Sequence, residues 1–225
     1  MAEPTILMHA SALAQALPPI AAGLRRSRSP AHQAIVLGCA VSIAGDAVQL
    51  LLAMQNINNF WVSYTVTPLV GAAFLFGLAA WQLTYLERLT LRLAIPIYVV
   101  AHFTLALLTE DLRHFSRYAA PLHSLIILVA ALWTLIRRSF AQSEQPHLES
   151  DWFWVAGGLA IYGAASAAFG PVASILMRDR IDLVVAAVNV RSALHILSFA
   201  AIAWGLQCRH PAKLSGPSSS PLRSA

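Results

Sequence analysis

Five ionisable side chains inside apolar runs of this sequence are candidates for chemistry: Asp46, His102, His123, Arg191 and His195. Such groups cost about 2.5–3.5 kcal/mol each at the centre of a bilayer, so each asks for a partner or a use. Gln49, Asn189 and Tyr162 are their neutral polar company. Asp46 and Gln49 stand at i,i+3 and Arg191 and His195 at i,i+4, so each pair shares one helix face. Two chemistries suit the set. Asp46 and Arg191 can neutralise one another as a structural clamp, with the histidines bridging helices by hydrogen bonds. Alternatively the same residues line a polar pocket that takes a small ligand or ion, where imidazoles titrate near neutral pH. Catalysis needs a nucleophile with a base, or a metal cluster. No Gly-x-Ser-x-Gly occurs. The histidines and Asp46 come from separate segments and form no local metal-ligand pair. No catalytic residue, metal site or cofactor is therefore expected.

The elements that must position these residues are read from hydropathy. Of the 225 residues, 58% are hydrophobic and only 11% charged, against about 25% charged in an ordinary soluble domain. A water-soluble fold of this size has no means of hiding so much apolar surface, which makes the chain an all-helical, polytopic membrane bundle. Seven segments come near the ~20 residues that cross a ~30 Å hydrocarbon layer. They are Thr5–Leu24, Gln33–Met54, Trp61–Leu83, Leu93–Thr109, Tyr118–Ile136, Trp152–Met177 and Leu183–Gln207. The first holds Pro18-Pro19, which removes backbone donors and kinks or shortens a helix. Ala12-Leu13-Ala14 has the small-x-small look of a signal cleavage site. The stretch before it carries Glu3 and no basic residue, unlike a signal peptide, so a true first helix is preferred.

Net charge is +5, but the basic residues sit in short clusters between apolar runs and form no stripe, which argues against nucleic acid. Summed over alternate loops, Lys and Arg number ten on one side and four on the other. The positive-inside rule then puts the N-terminus outside and the C-terminus in the cytoplasm, an arrangement that needs an odd number of helices. Residues 1–210 read as one bundle. The Ser- and Pro-rich stretch 211–225 reads as a disordered cytoplasmic tail. Cys39 and Cys208 are too few and too far apart for a disulfide framework or a zinc pattern, and read as small apolar fillers. Gly157-Gly158, Gly163, Ala164, Ala167 and Ala168 make the sixth segment small-sided, as close helix packing requires. Trp61, Trp152 and Trp154 read as interfacial anchors. No P-loop, Rossmann fingerprint or HExxH run occurs.

At 1.5 Å rise per residue, Asp46 and Arg191 both lie about 12 Å in from the outer ends of their helices, and His102 and His123 about 8–10 Å. Four ionisable groups thus reach similar depth in the outer half. Above them lies the turn Gln55-Asn56-Ile57-Asn58-Asn59, four amides without a charge, followed by Phe60-Trp61 and Tyr64. It reads as a tight outer hairpin. The run from Gln55 to Pro68 resembles the Gly-x-Asn-Asn-x-Trp-x-x-x-x-Tyr-Thr-Pro hairpin of a family of uncharacterised bacterial integral membrane proteins with about seven helices. Phe115-Ser116-Arg117-Tyr118-Ala119 is similar to that family's lead into helix five. Trp152-Phe153-Trp154 leading to Ile161-Tyr162-Gly163 is similar to its helix six. Here Tyr64 is followed by Thr65-Val66-Thr67-Pro68 and not directly by Thr-Pro. The likeness implies seven helices in a bacterial inner membrane and brings no established activity. The functional expectation is a non-enzymatic sensory or accessory module of the lipid bilayer. It would bind a small ligand or proton in the outer-half pocket and pass a helix shift to a cytoplasmic or membrane protein partner. The alternatives are a small-solute or ion transporter or channel subunit and, third, a membrane-embedded lipid enzyme.

Overall fold

The computed structural model describes residues 6–24, 29–114, 116–141, 147–176 and 181–208. Among these described residues, seven helical spans are long and apolar enough to cross a membrane. The first is split into α1 (Ile6–Ala14) and α2 (Leu17–Gly23). Its break precedes Pro18-Pro19, which occupy the first turn of α2, the position where a helix tolerates missing N–H groups. Then come α3 (Pro30–Met54), α4 (Phe60–Ala80), α5 (Tyr85–Thr109), α6 (Ala119–Ala141), α7 (Asp151–Leu176) and α8 (Ile181–Gln207). The expected tail at 211–225 lies outside the described residues, as do the arginines at 25, 26 and 28.

Helix starts follow local chemistry. Ser29 caps α3 by accepting from the His32 amide, with Pro30 in the first turn. Thr84 and Glu87 form a reciprocal capping box at the head of α5. This corrects the expected start of the fourth span at Leu93, which leaves 84–92 as a loop. Its charges suggested a loop, yet Glu87, Arg88 and Arg92 lie on the first turns of a helix that begins at Tyr85. The Glu110 carboxylate caps α6 from the preceding loop, accepting from Ser116 Oγ, from the Ala119 amide at 3.2 Å and from the Tyr118 amide. The amide-rich turn is a tight hairpin. Asn56 takes a left-handed φ of 56°, which asparagine tolerates better than most residues. Asn59 Nδ2 donates to the Gln49 carbonyl at 2.9 Å, and Asn58 Nδ2 donates to the Arg113 carbonyl at 3.0 Å. The side-chain amides thus tie the turn to two neighbouring backbones.

Helix α4 runs through the middle of the bundle, against α3, α5 and α6, while α7 packs between α6 and α8. The split first span leans on α8 and α3 and closes the ring. The small residues of α7 permit close contact. A Cβ at Gly163 would meet the Ser124 carbonyl at 2.8 Å, and one at Gly158 the Ser198 carbonyl at 2.7 Å. The two ends of the bundle differ. The Gln55–Asn59 hairpin marks one. Ser29, Arg88, Arg92, Arg137, Arg138 and Asp151 gather at the other, called the arginine end below. Between them lies a fully buried apolar layer that includes Ile35, Cys39, Phe74, Leu75, Ile127 and Leu159.

Candidate functional site

Two polar cavities with a common wall lie on the hairpin side of the apolar layer. The larger, about 490 Å3, is lined by α1, α3, α4, α6, α7 and α8 and includes Asp46, Gln49, His123, Arg191 and His195. The smaller, about 150 Å3, includes Tyr64, His102, His123, Ser166 and Arg191. Ser63, Thr67, His123, Tyr162 and Arg191 belong to both. Phe74, at 6.2 Å from the Tyr162 ring, joins Tyr162 to the apolar layer beneath. Of the sequence candidates, only Asn189 lies on neither wall.

Asp46 and Arg191 do not form the expected ion pair. Among the described residues the ion pairs are His32–Asp151, His114–Asp111 and Arg137–Glu87. Gln15, at the end of α1, takes the place of the guanidinium: its Nε2 donates to Asp46 Oδ2 at 2.7 Å, while its Oε1 accepts from Ser42 Oγ at 2.8 Å. The break before Pro18-Pro19 matters here, because it sets α1 and α2 as separate pieces and leaves Gln15 between them. Arg191 is held differently. Its Cζ sits 4.8 Å over the Phe169 ring, a cation–π contact. Its Nε is buried without a hydrogen-bond partner among the described residues. An acid and a guanidinium therefore face one cavity without neutralising each other directly.

The histidines are fixed by their neighbours. Pro68 lacks the N–H that would bond the Tyr64 carbonyl four residues back. His102 Nε2 reaches that carbonyl at 3.2 Å. A carbonyl only accepts, so Nε2 carries the proton, and a neutral His102 leaves Nδ1 as a bare acceptor; that atom is buried with no partner among the described residues. His123 Nδ1 lies 2.8 Å from the Tyr98 hydroxyl, which is also 3.3 Å from the Thr67 carbonyl. His123 Nε2 is likewise buried and unpartnered. Gly71 makes room for this pair, since a Cβ there would stand 2.7 Å from the Tyr98 hydroxyl and 2.8 Å from His123 Nδ1. His195 Nε2 lies 2.9 Å from Ser166 Oγ and its ring packs on Tyr162 with centroids 5.0 Å apart.

The Ser166–His195 contact has the reach of a nucleophile and its base. No carboxylate hydrogen-bonds His195 among the described residues, so the third member that orients such a base is not in place. No three His, Cys, Asp or Glu side chains among the described residues gather closely enough to hold a metal ion. The arrangement offers one cation, one anion and unpaired imidazole nitrogens around a space large enough for a small molecule.

A second polar cluster escaped the sequence reading. His32 Nε2 and Asp151 Oδ2 pair at 2.8 Å at the arginine end, with side chains only 2% and 0% exposed. Trp81 stands edge-on to His32 at 6.0 Å, and Arg138 lies over the Trp152 ring at 5.4 Å. Gln82 Nε2 donates to Thr134 Oγ1 at 2.8 Å beside them. Hydropathy placed His32 and Asp151 in loops. The available signals were Ser29-Pro30 as a helix start and Asp151 just ahead of an apolar run. Compared with protein-family models, curated proteins and solved structures, the chain finds no match.

Proposed function

We propose that this multi-pass membrane protein is a non-enzymatic sensory or accessory module that binds a small polar molecule in the hairpin-end cavity. The favoured ligand carries an anionic group for Arg191 and a donor or cationic group for Asp46. The observation that carries the reading is the Arg191 guanidinium. It lines the cavity wall with a buried, unpartnered Nε, while Asp46 on the same wall is engaged by Gln15 instead. A buried donor without a partner costs about 1–3 kcal/mol, which a bound acceptor recovers. Gln15 directly follows α1, so a ligand that displaces it from Asp46 moves the split first span, which packs on α8. That is a route from occupancy to helix shift and thence to a protein partner. The threading that supports it has the hairpin outside and the arginine end in the cytoplasm, in a bacterial inner membrane. Transport is the second reading, favoured by the wall common to the two cavities; it requires the apolar layer around Phe74 and Leu75 to part.

The test uses the full chain in neutral detergent, with glycine, glutamate, acetate and methylammonium as probes and thermal unfolding as readout. Saturable stabilisation by at least one probe, lost in Arg191→Gln for anionic probes and in Asp46→Asn for methylammonium, supports the site. If no probe stabilises the protein, or both variants respond like wild type, the site is abandoned. Uptake of the stabilising probe into proteoliposomes would favour the transport reading.

A further inference from the structure

We propose a second, separate binding site: the cleft between the start of α3 and the first turns of α5, at the arginine end, holds a phosphate group. The group comes either from a phospholipid headgroup or from free phosphate. The cleft has a volume of about 240 Å3, and its wall includes Ser29, Ala31, Trp81, Arg88 and Arg92. The wall is rich in donors. Arg88 and Arg92 stand at i,i+4 on one face of α5. One Arg88 nitrogen reaches the Gln82 carbonyl at 3.4 Å, but its Nε is buried without a partner among the described residues. Arg92 is exposed, with Cζ 5.3 Å over the Phe76 ring. Trp81 is only 2% exposed, and its indole N–H has no acceptor among the described residues. Indole nitrogen is a donor only, so it is satisfied by an acceptor and by nothing else.

The head of α3 adds to this. Pro30 has no N–H, the His32 amide is taken by Ser29 Oγ and the Gln33 amide by the Ser29 carbonyl. The Ala31 amide has no acceptor within the helix, at the positive end of the dipole. No carboxylate lines the cleft among the described residues. The sole acid of α5, Glu87, is engaged by Arg137 at 2.6 Å and by the Thr84 cap. Two guanidinium forks, an indole N–H and a helix N-terminus with no facing acid select a multidentate oxyanion. Phosphate is the one a membrane supplies in quantity. The cleft opens at a bundle end where apolar helices give way to arginines, the level of lipid headgroups.

Isothermal titration of the full chain in phosphate-free neutral detergent tests this. The probes are dioctanoyl phosphatidylglycerol, dioctanoylglycerol and sodium phosphate. The expected result is saturable binding of the phospholipid and not of dioctanoylglycerol. Arg92→Gln should weaken it at least about tenfold, the scale of one charge-assisted bond. Arg92 is exposed, so that change leaves the core intact; Arg92→Lys should keep part of the affinity. Arg117→Gln, an exposed arginine at the opposite, hairpin end, should bind as wild type does. Binding or competition by sodium phosphate identifies free phosphate as a source; its failure beside a bound phospholipid identifies the headgroup. Equal binding of dioctanoylglycerol, unaltered affinity in Arg92→Gln, an equal loss in Arg117→Gln, or no binding of either phosphate probe overturns the proposal.

Discussion

Gly71→Ala and Gly157→Ala are the same substitution on two transmembrane helices, and the structure gives them opposite signs. A Cβ at Gly71 would lie 2.7 Å from both Tyr98 Cε1 and the Tyr98 hydroxyl, and 2.8 Å from His123 Nδ1. Ordinary carbon contacts begin at about 3.5 Å, so the rings must retreat by about 0.7–0.8 Å. Tyr98 is 2% and His123 3% exposed, and although His123 borders both cavities, the 2.8 Å bond between the two rings lies where the Cβ intrudes, so a retreat of either ring breaks it. Overpacking of this kind costs about 1–3 kcal/mol, and loss of the Tyr98–His123 bond about 0.5–1.5 kcal/mol. Alanine returns up to about 1 kcal/mol of helix propensity. The expected net effect is a destabilisation of about 1–3 kcal/mol. At Gly157 nothing lies within 4 Å of the added carbon, so only the propensity gain remains, about 0.5–1 kcal/mol of stabilisation. Reversible unfolding in mixed SDS micelles, followed by far-UV circular dichroism, reads both. If Gly71→Ala equals or exceeds wild type in stability, or both variants shift the same way, the packing assigned to Tyr98 and His123 is wrong.

His102→Leu should cost about 1–3 kcal/mol because it strips the Tyr64 carbonyl of its donor. Adding Pro68→Ala to that variant should recover most of the loss, since alanine restores the missing backbone N–H; strictly additive effects in the double-mutant cycle would refute the exchange. His32→Leu should destabilise the arginine end by about 1.5–3 kcal/mol, the range for a hydrogen bond to a charged group, and exchange protection of the first turns of α3 and α7 should fall with it. Asp111, in the exposed loop before α6, accepts first from the Arg113 amide at 2.9 Å and also faces His114 at 3.0 Å, and these hold its carboxyl below the usual value. The ionised form is the favoured one, so its contribution to loop order is present at neutral pH and fades as pH falls through the lowered value. An NMR titration placing Asp111 at or above the ordinary carboxylate value of about 3.9 would contradict this.

Hydropathy alone was enough to mark the seven spans, because each apolar run is long enough to have no other destination. It misplaced the head of α5, where Glu87, Arg88 and Arg92 look like a loop. The capping box formed by Thr84 and Glu87 was legible there and outweighs those charges. Helix rise brought Asp46, Arg191, His102 and His123 to similar depth, and the structure puts them on two cavities with a common wall. Depth is a one-dimensional quantity, however, and partner choice depends on rotation about each helix. Gln15, and not Arg191, reaches Asp46 because of where α1 breaks from α2. The His32–Asp151 pair joins helix heads 119 positions apart, and no local spacing encodes such a contact. The bond from His102 to Tyr64 was hidden for another reason: its cause is a missing group, the N–H that Pro68 lacks.

That missing group bears on how the chain enters a bilayer. Alone in hydrocarbon, α4 carries a carbonyl that its own backbone leaves unsatisfied, at a cost of several kcal/mol in the absence of water. The side chain that relieves it lies 38 positions further along the chain, on the next span. Helix α4 is therefore completed only when α5 stands beside it, which favours insertion of the two as one hairpin. A ribosome pause or truncation between Pro68 and His102 would leave α4 at the translocon with an open bond.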